Sequence, residues 1–147
     1  MASLFTDRAI SYRIDKGFDH TKIALSVAIQ RMVRSDKGAS GVMFTVDTES
    51  GFKNVVIINA SWGLGEMVVQ GHVTPDEYMV AKHAISSAPD PIIARTLGSK
   101  TQKMVYRVGT GGIRPVKVVA TSKKERATFV LTNKEIHTLA TWGVAIE

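Results

Sequence analysis

The sequence predicts an α+β domain whose main body is an antiparallel sheet with flanking helices. Apolar stretches of strand length recur along the chain, separated by short loops rich in Gly, Asp, Asn and Ser. A capped amphipathic segment closes the sequence. The chain has 147 residues, 44% apolar and 22% charged, enough to bury one core and too apolar for a disordered tail.

In chain order, residues 4–15 place Phe5, Ala9 and Tyr12 at i, i+4 and i+7, the spacing of a helix face. Residues 24–33 alternate instead. Leu25, Val27 and Ile29 point one way, while Ala24, Ser26, Ala28, Gln30 and Met32 point the other, which predicts a strand with one bulky and one small or polar face. After a turn marked by Asp36 and Gly38, a second strand is expected over 41–47, with Val42, Phe44 and Val46 on one face. The turn TESGFKN leads to a fully apolar third strand, VVIINA at 55–60. Short connections of this kind imply an antiparallel meander, since parallel strands require long crossovers.

Gly63-Leu64-Gly65-Glu66 then ends the third strand, and a fourth is expected over 77–83. Residues 84–100, interrupted by Pro89 and Pro91, read as loop with a short helical turn. Strand patterns return at 103–108 and 116–122 around the glycine loop GTGGIRP. The last helix begins near Asn133: Thr132 and Glu135 form a capping box, and Ile136, Leu139, Ala140 and Val144 form the apolar stripe.

Charge is distributed unevenly. The net charge of +6 combines −1 over residues 1–90, +9 over 91–134 and −2 over the last 13 residues. A block of this kind attracts phosphate, whether in a nucleotide, a nucleic acid or an anionic surface. It holds only Tyr106 and Phe129 as aromatics, too few for a stacking platform for single strands. The absence of cysteine excludes disulfides, thiolate metal sites and a cysteine nucleophile. No apolar run approaches the roughly 20 residues of a membrane span, and no signal-peptide pattern opens the chain, so a soluble cytoplasmic protein is expected.

GLGEMVVQG follows a strand, as a phosphate loop would. It departs from the dinucleotide fingerprint at Val68, and no Lys-Ser or Lys-Thr completes a P-loop. Its other reading is a tight strand-to-helix turn. His20, His72, His83 and His137 show no metal-ligand spacing, His72 with Asp76 is a weak pair, and no Gly-x-Ser-x-Gly elbow is present. No catalytic or metal-binding residue is assigned.

Three stretches, ASLFTDRAISYR, VAIQRMVRSDKGASGVMFTVDTESGF and WGLGEMVVQGHVTPDEYMV, resemble consecutive blocks of the nucleotide-binding domain of the phosphoenolpyruvate synthase (pyruvate, water dikinase) family. IIARTLGSKTQKMVYRV resembles the segment that follows, so the likeness covers nearly the whole chain. It implies a partial ATP-grasp domain over 1–147, the C-terminal subdomain of a fold that holds ATP between two α+β subdomains. It also implies conversion of ATP, pyruvate and water to AMP, phosphoenolpyruvate and phosphate, through a phosphohistidine on another domain of the same full-length chain. The family's N-terminal subdomain and its Gln-x-Arg-Pro-Glu tail are expected outside these residues, and most ligands for Mg2+ with them. PIIARTLG echoes the family's phosphohistidine segment, but Ser86-Ser87-Ala88-Pro89-Asp90 stands where the histidine belongs, and His83 is rejected as phosphocarrier.

By this resemblance 24–33 is the hinge strand, and Gln30 with Met32 and the backbone of Arg31 and Val33 would line the adenine. A glutamine amide offers both a donor and an acceptor, and a thioether makes a polarizable wall. The other reading of Gln30 is a satisfied polar residue on an exposed strand. Glu66 would meet ribose hydroxyls or a phosphate-bound magnesium, or else cap the short helix that starts there. Thr45 and Asp47 are weaker candidates. The basic block 91–134 would hold the triphosphate or dock the phosphohistidine domain. Expected partners are ATP and the phosphohistidine and pyruvate-binding domains, with no membrane, and a homodimer of the intact enzyme is compatible with the resemblance. The alternatives are another dikinase of the pyruvate, phosphate or glucan, water type, a basic nucleic-acid-binding module, or a scaffold whose ATP site has decayed.

Overall fold

The computed structural model describes residues 2–107 and 115–147, in two compact units, Met1–Val33 and Arg34–Glu147. In the first unit a 3-10 turn, Ala2–Phe5, precedes helix α1, Asp7–Lys16. Gly17 ends the helix at φ +68, in the left-handed region that glycine enters without steric cost, and the Phe18 N–H caps the Arg13 carbonyl at 2.9 Å. Arg13 is buried. Its Nε donates to His20 Nδ1 at 2.9 Å and its Nη2 to the Leu4 carbonyl at 2.6 Å, tying the 3-10 turn to the loop beyond the helix. The expected helix is therefore present, although Phe5 and Tyr12 of its apolar stripe are exposed.

The strand expected over 24–33 is not formed. Residues 23–34 carry no regular element, and Ile29 is 96% exposed. Alternation arranges side chains on two faces, but a strand persists only when its N–H and C=O groups enter a ladder, and the first unit contains no other strand among its described residues.

In the second unit the meander runs through four strands: β1 (Ala39–Phe44), β2 (Val55–Trp62), β3 (Asp76–Ala81) and β4 (Ile92–Thr96), antiparallel and in the order β1-β2-β3-β4. β2 is central and apolar on both faces, with Val55, Val56, Ile57 and Ile58 all buried. Met43 and Ala39, not Val42 and Phe44, are the β1 side chains packed on the core. β4 replaces what reads in sequence as loop. Pro91 sits just before the strand and its carbonyl accepts from the Ala81 N–H at 3.0 Å, so the proline serves the edge of the sheet that tolerates it.

A second sheet pairs β5 (Gln102–Tyr106) with β6 (Val116–Ala120), both expected from their apolar runs. Val108 and most of the glycine loop GTGGIRP lie outside the described residues. Helix α2 (Glu66–Val69) follows the glycine turn, and helix α3 (Lys123–Ala127), not foreseen, opens with a capping box between Ser122 and Glu125. Helix α4 (Asn133–Ile146) carries the foreseen Thr132–Glu135 box. Its Ile136 and Ala140, both at 0% exposure, meet Val56, Ile58, Ala60, Tyr78 and Val80 of the sheet in the main core. The α+β, mainly antiparallel class read from the sequence is the class observed.

Candidate functional site

The glycine turn after β2 is held from three sides. Gly63 has φ +83, and a Cβ there would stand 2.5 Å from the Met104 carbonyl oxygen, so both conformation and space select glycine. Its N–H donates to the Gly38 carbonyl at 3.1 Å, while its own carbonyl accepts from Ser40 Oγ at 2.6 Å. The Leu64 N–H donates to the Met104 carbonyl of β5 at 2.9 Å. Beneath the turn, Met67 and Val73 are buried with Met104, supported by Leu64, Val68 and Val116. One side of α2 is thereby anchored, and Glu66, Val69 and Gln70 are left in solvent.

Glu66 is the first residue of α2, and its Oε1 accepts from Gln70 Nε2 at 3.2 Å, one helical turn along. The helix cap is the backbone of Gly65, without a side-chain capping bond, so Glu66 does not act as the N-cap. The turn presents an exposed carboxylate on a backbone fixed by three tertiary hydrogen bonds. Ser40 was not foreseen; only its register opposite Ser61, 21 residues on, brings it to Gly63.

The remaining candidates belong to other segments of the chain. Gln30, Arg31, Met32 and Val33 are exposed in the first unit, on the stretch without regular structure. Thr45 and Asp47 lie past the far end of β1. Ser40 touches the turn and Phe44 pairs with Ile57, so Thr45 stands five residues, roughly 17 Å of extended chain, from the Glu66 end. Asp47 organises its own turn. It accepts from Ser50 Oγ and from the Glu49 N–H at 3.1 Å, and these bonds hold its carboxyl below the usual carboxylate range. His72 and Asp76 form no pair, because Asp76 is completely buried and engaged by Lys100 while His72 is exposed.

The basic block is partly neutralised in three dimensions. Arg95 pairs with Asp90, Lys100 with Asp76, and Lys103 with Glu125, whose carboxyl is pulled down to about 2, chiefly by the Lys103 ammonium. Lys103 and Glu125 brace the turn as well, since the Glu125 carbonyl receives Trp62 Nε1–H at 3.0 Å. Arg34 packs over the Tyr106 ring, 5.4 Å from its centroid, at the end of β5.

Residues 1–147 match throughout the family described as the pyruvate phosphate dikinase AMP/ATP-binding domain. The chain belongs to this family. It is 57% identical over 146 residues to a phosphoenolpyruvate synthase of Aquifex aeolicus, covering 99% of this chain and 17% of that protein. Identity to the Helicobacter pylori phosphoenolpyruvate synthase is 53% over 147 residues, which is 100% of this chain and 18% of the relative. The Escherichia coli phosphoenolpyruvate synthase is 52% identical over 146 residues, 99% and 18%. This AMP/ATP-binding domain chain therefore spans less than a fifth of the length of the relatives it matches. Among its described residues, no helix is long and apolar enough to cross a membrane.

Proposed function

We propose that this chain is the ATP-binding portion of a phosphoenolpyruvate synthase, a cytoplasmic phosphotransferase that forms phosphoenolpyruvate, AMP and phosphate from ATP, pyruvate and water. Membership of the AMP/ATP-binding family and identities above 50% to proteins named phosphoenolpyruvate synthase support the substrate class. The structural observation that carries the reading is the turn Gly63–Glu66: an exposed carboxylate on a backbone locked to β1 and β5. Such a carboxylate accepts two hydroxyl hydrogens at once, which suits a ribose diol. Its rigidity lets the contact form without a fresh ordering cost.

The antiparallel sheet with α4 on one face is consistent with the C-terminal subdomain of an ATP-grasp fold. Gln30, Met32 and the backbone of Arg31 and Val33 are the adenine candidates, each accessible to a ligand in this structure. Phosphoryl transfer depends mainly on positioning and charge neutralisation, and this chain contributes the positioning. No group of three or more His, Asp or Glu side chains converges among the described residues, so they offer no all-protein magnesium cage. A single carboxylate such as Glu66 would hold the ion only together with ATP phosphates and water. The family match and the identities above 50% to proteins named phosphoenolpyruvate synthase favour this reading over a nucleic-acid role.

The test is turnover. The full-length protein should form phosphoenolpyruvate from ATP and pyruvate, and residues 1–147 alone should form none, binding ATP with a dissociation constant on the order of millimolar. Absence of phosphoenolpyruvate from the full-length reaction, or its formation by the 147-residue chain alone, would overturn the reading.

A further inference from the structure

We infer that the buried Asp76–Lys100 pair is a positioning device for the Gly63–Glu66 turn, acting through the register of β5; its purpose rests on the reading of Glu66 as a nucleotide contact. Both side chains have 0% exposure, and the ion pair is the only one among the described residues with both partners fully buried. Asp76, the first residue of β3, takes the Lys100 ammonium, the Gly98 N–H at 2.8 Å, the Val130 N–H at 2.8 Å and the Tyr78 hydroxyl at 3.3 Å. One carboxylate therefore gathers β3, the connection from β4 to β5, and the connection from α3 to α4.

Lys100 is bound along its whole length. Its Nζ also donates to the Gly98 carbonyl at 3.0 Å, its N–H to the Thr74 carbonyl at 3.2 Å, and its carbonyl accepts from Thr121 Oγ1 at 2.5 Å. The backbone sits at φ +41, a conformation that lysine adopts only under constraint. Burying a pair of charges is a poor route to stability, because a well-packed apolar pair of similar volume performs as well or better. What such a pair supplies is a fixed alignment of the segments that carry it.

The aligned segment is β5. Lys100 lies two residues before Gln102, and the Thr121 N–H closes the base of the β5–β6 hairpin on the Thr101 carbonyl at 3.0 Å. β5 in turn makes the floor of the glycine turn. The Met104 carbonyl receives the Leu64 N–H, and the Met104 side chain packs on Met67 of α2. A slip of one residue in β5 would turn Met104 away from Met67 and remove the acceptor of Leu64. The direction of Glu66 is thus set by a pair that never touches it.

The experiment uses the full-length protein with Asp76→Asn plus Lys100→Met, which removes both charges together and leaves no lone buried ion. Thr121→Val, a milder lesion of the same chain of contacts, is the second variant. Amide hydrogen exchange is followed for peptides spanning 63–67 and 55–60, together with ATP affinity. The expected result for the double variant is exchange at 63–67 at least tenfold faster, exchange at 55–60 unchanged, and ATP affinity about tenfold weaker. Thr121→Val should shift exchange and affinity in the same direction by two- to threefold. Uniformly faster exchange in both variants would mark the pair as an ordinary stabiliser and overturn the inference. So would unchanged protection of 63–67 in Thr121→Val should the double variant fail to fold. If the unmodified protein binds ATP and the variants bind it equally well, the inference falls alone. If the unmodified protein binds no ATP, the nucleotide reading falls and takes the inference with it.

Discussion

Residues 24–33 and residues 55–60 both read as strand in the sequence, and each bears or leads into a proposed nucleotide contact, yet the structure treats them differently. The first stretch has no ladder, and Ile29 is almost wholly exposed. The second is β2, paired on both sides, ending in a turn with hydrogen bonds to Gly38, Ser40 and Met104. Alternation describes how side chains divide between two faces; pairing decides whether the backbone stays extended. Glu66 therefore has a fixed position and Gln30 only an accessible one.

Core substitutions should show this contrast at its largest. Ile136→Ala, at a fully buried site against β2 and β3, should cost about 2–5 kcal/mol of unfolding free energy in a denaturant titration. Ile29→Ala should stay within about 0.5 kcal/mol, because that side chain is already in water. A large loss from Ile29→Ala would mean that 23–33 is packed in solution and would erase the contrast.

Next in size is an alkaline effect. Burial pushes the Tyr78 phenol up to about 12, although the Leu131 N–H on its oxygen favours the ionised form. A raised folded value means the stabilisation is complete below the ordinary value of 10 and is lost as pH rises through 12, on the order of 2 kcal/mol. Unfolding midpoints between pH 9 and 12 should fall in the parent protein. Tyr78→Phe should flatten that dependence, while costing about 1–3 kcal/mol at pH 7 by leaving the Leu131 N–H unpartnered.

A smaller effect lies in acid. The Glu125 carboxyl, held near 2 by Lys103, stabilises the fold fully above its ordinary value of 4.5, and that contribution is lost as pH falls toward 2. The pair is about a quarter exposed, so about 1 kcal/mol is expected. Glu125→Gln should remove that share of the acid dependence, and an unchanged profile would show that the brace on β5 contributes little.

What the sequence made legible was local. The Thr132–Glu135 box and the stripe of Ile136 and Ala140 lie within a few residues of each other, and helix α4 follows from them directly. The glycine turn was visible for the same reason, since Gly63 announces its positive φ by its identity. β4 was hidden because Pro89 and Pro91 break the pattern just where an edge strand begins. Asp76 and Lys100 are 24 residues apart and look like ordinary surface charges, so nothing local marks them as the buried centre of the second unit. Gln30 stands between these cases, with a side chain suited to an adenine edge on a stretch that alternates like a strand but enters no ladder.

The most direct test of the nucleotide assignment is calorimetric titration of ATP into the full-length protein and its Glu66→Gln and Gln30→Ala variants. Losing a charged acceptor at a fixed turn should weaken ATP about tenfold or more in Glu66→Gln, and losing one neutral hydrogen bond should weaken it roughly two- to tenfold in Gln30→Ala, with unfolding midpoints unchanged. ATP affinity equal to that of the parent in Glu66→Gln would contradict the account, because the turn would then be structural and the nucleotide would bind elsewhere.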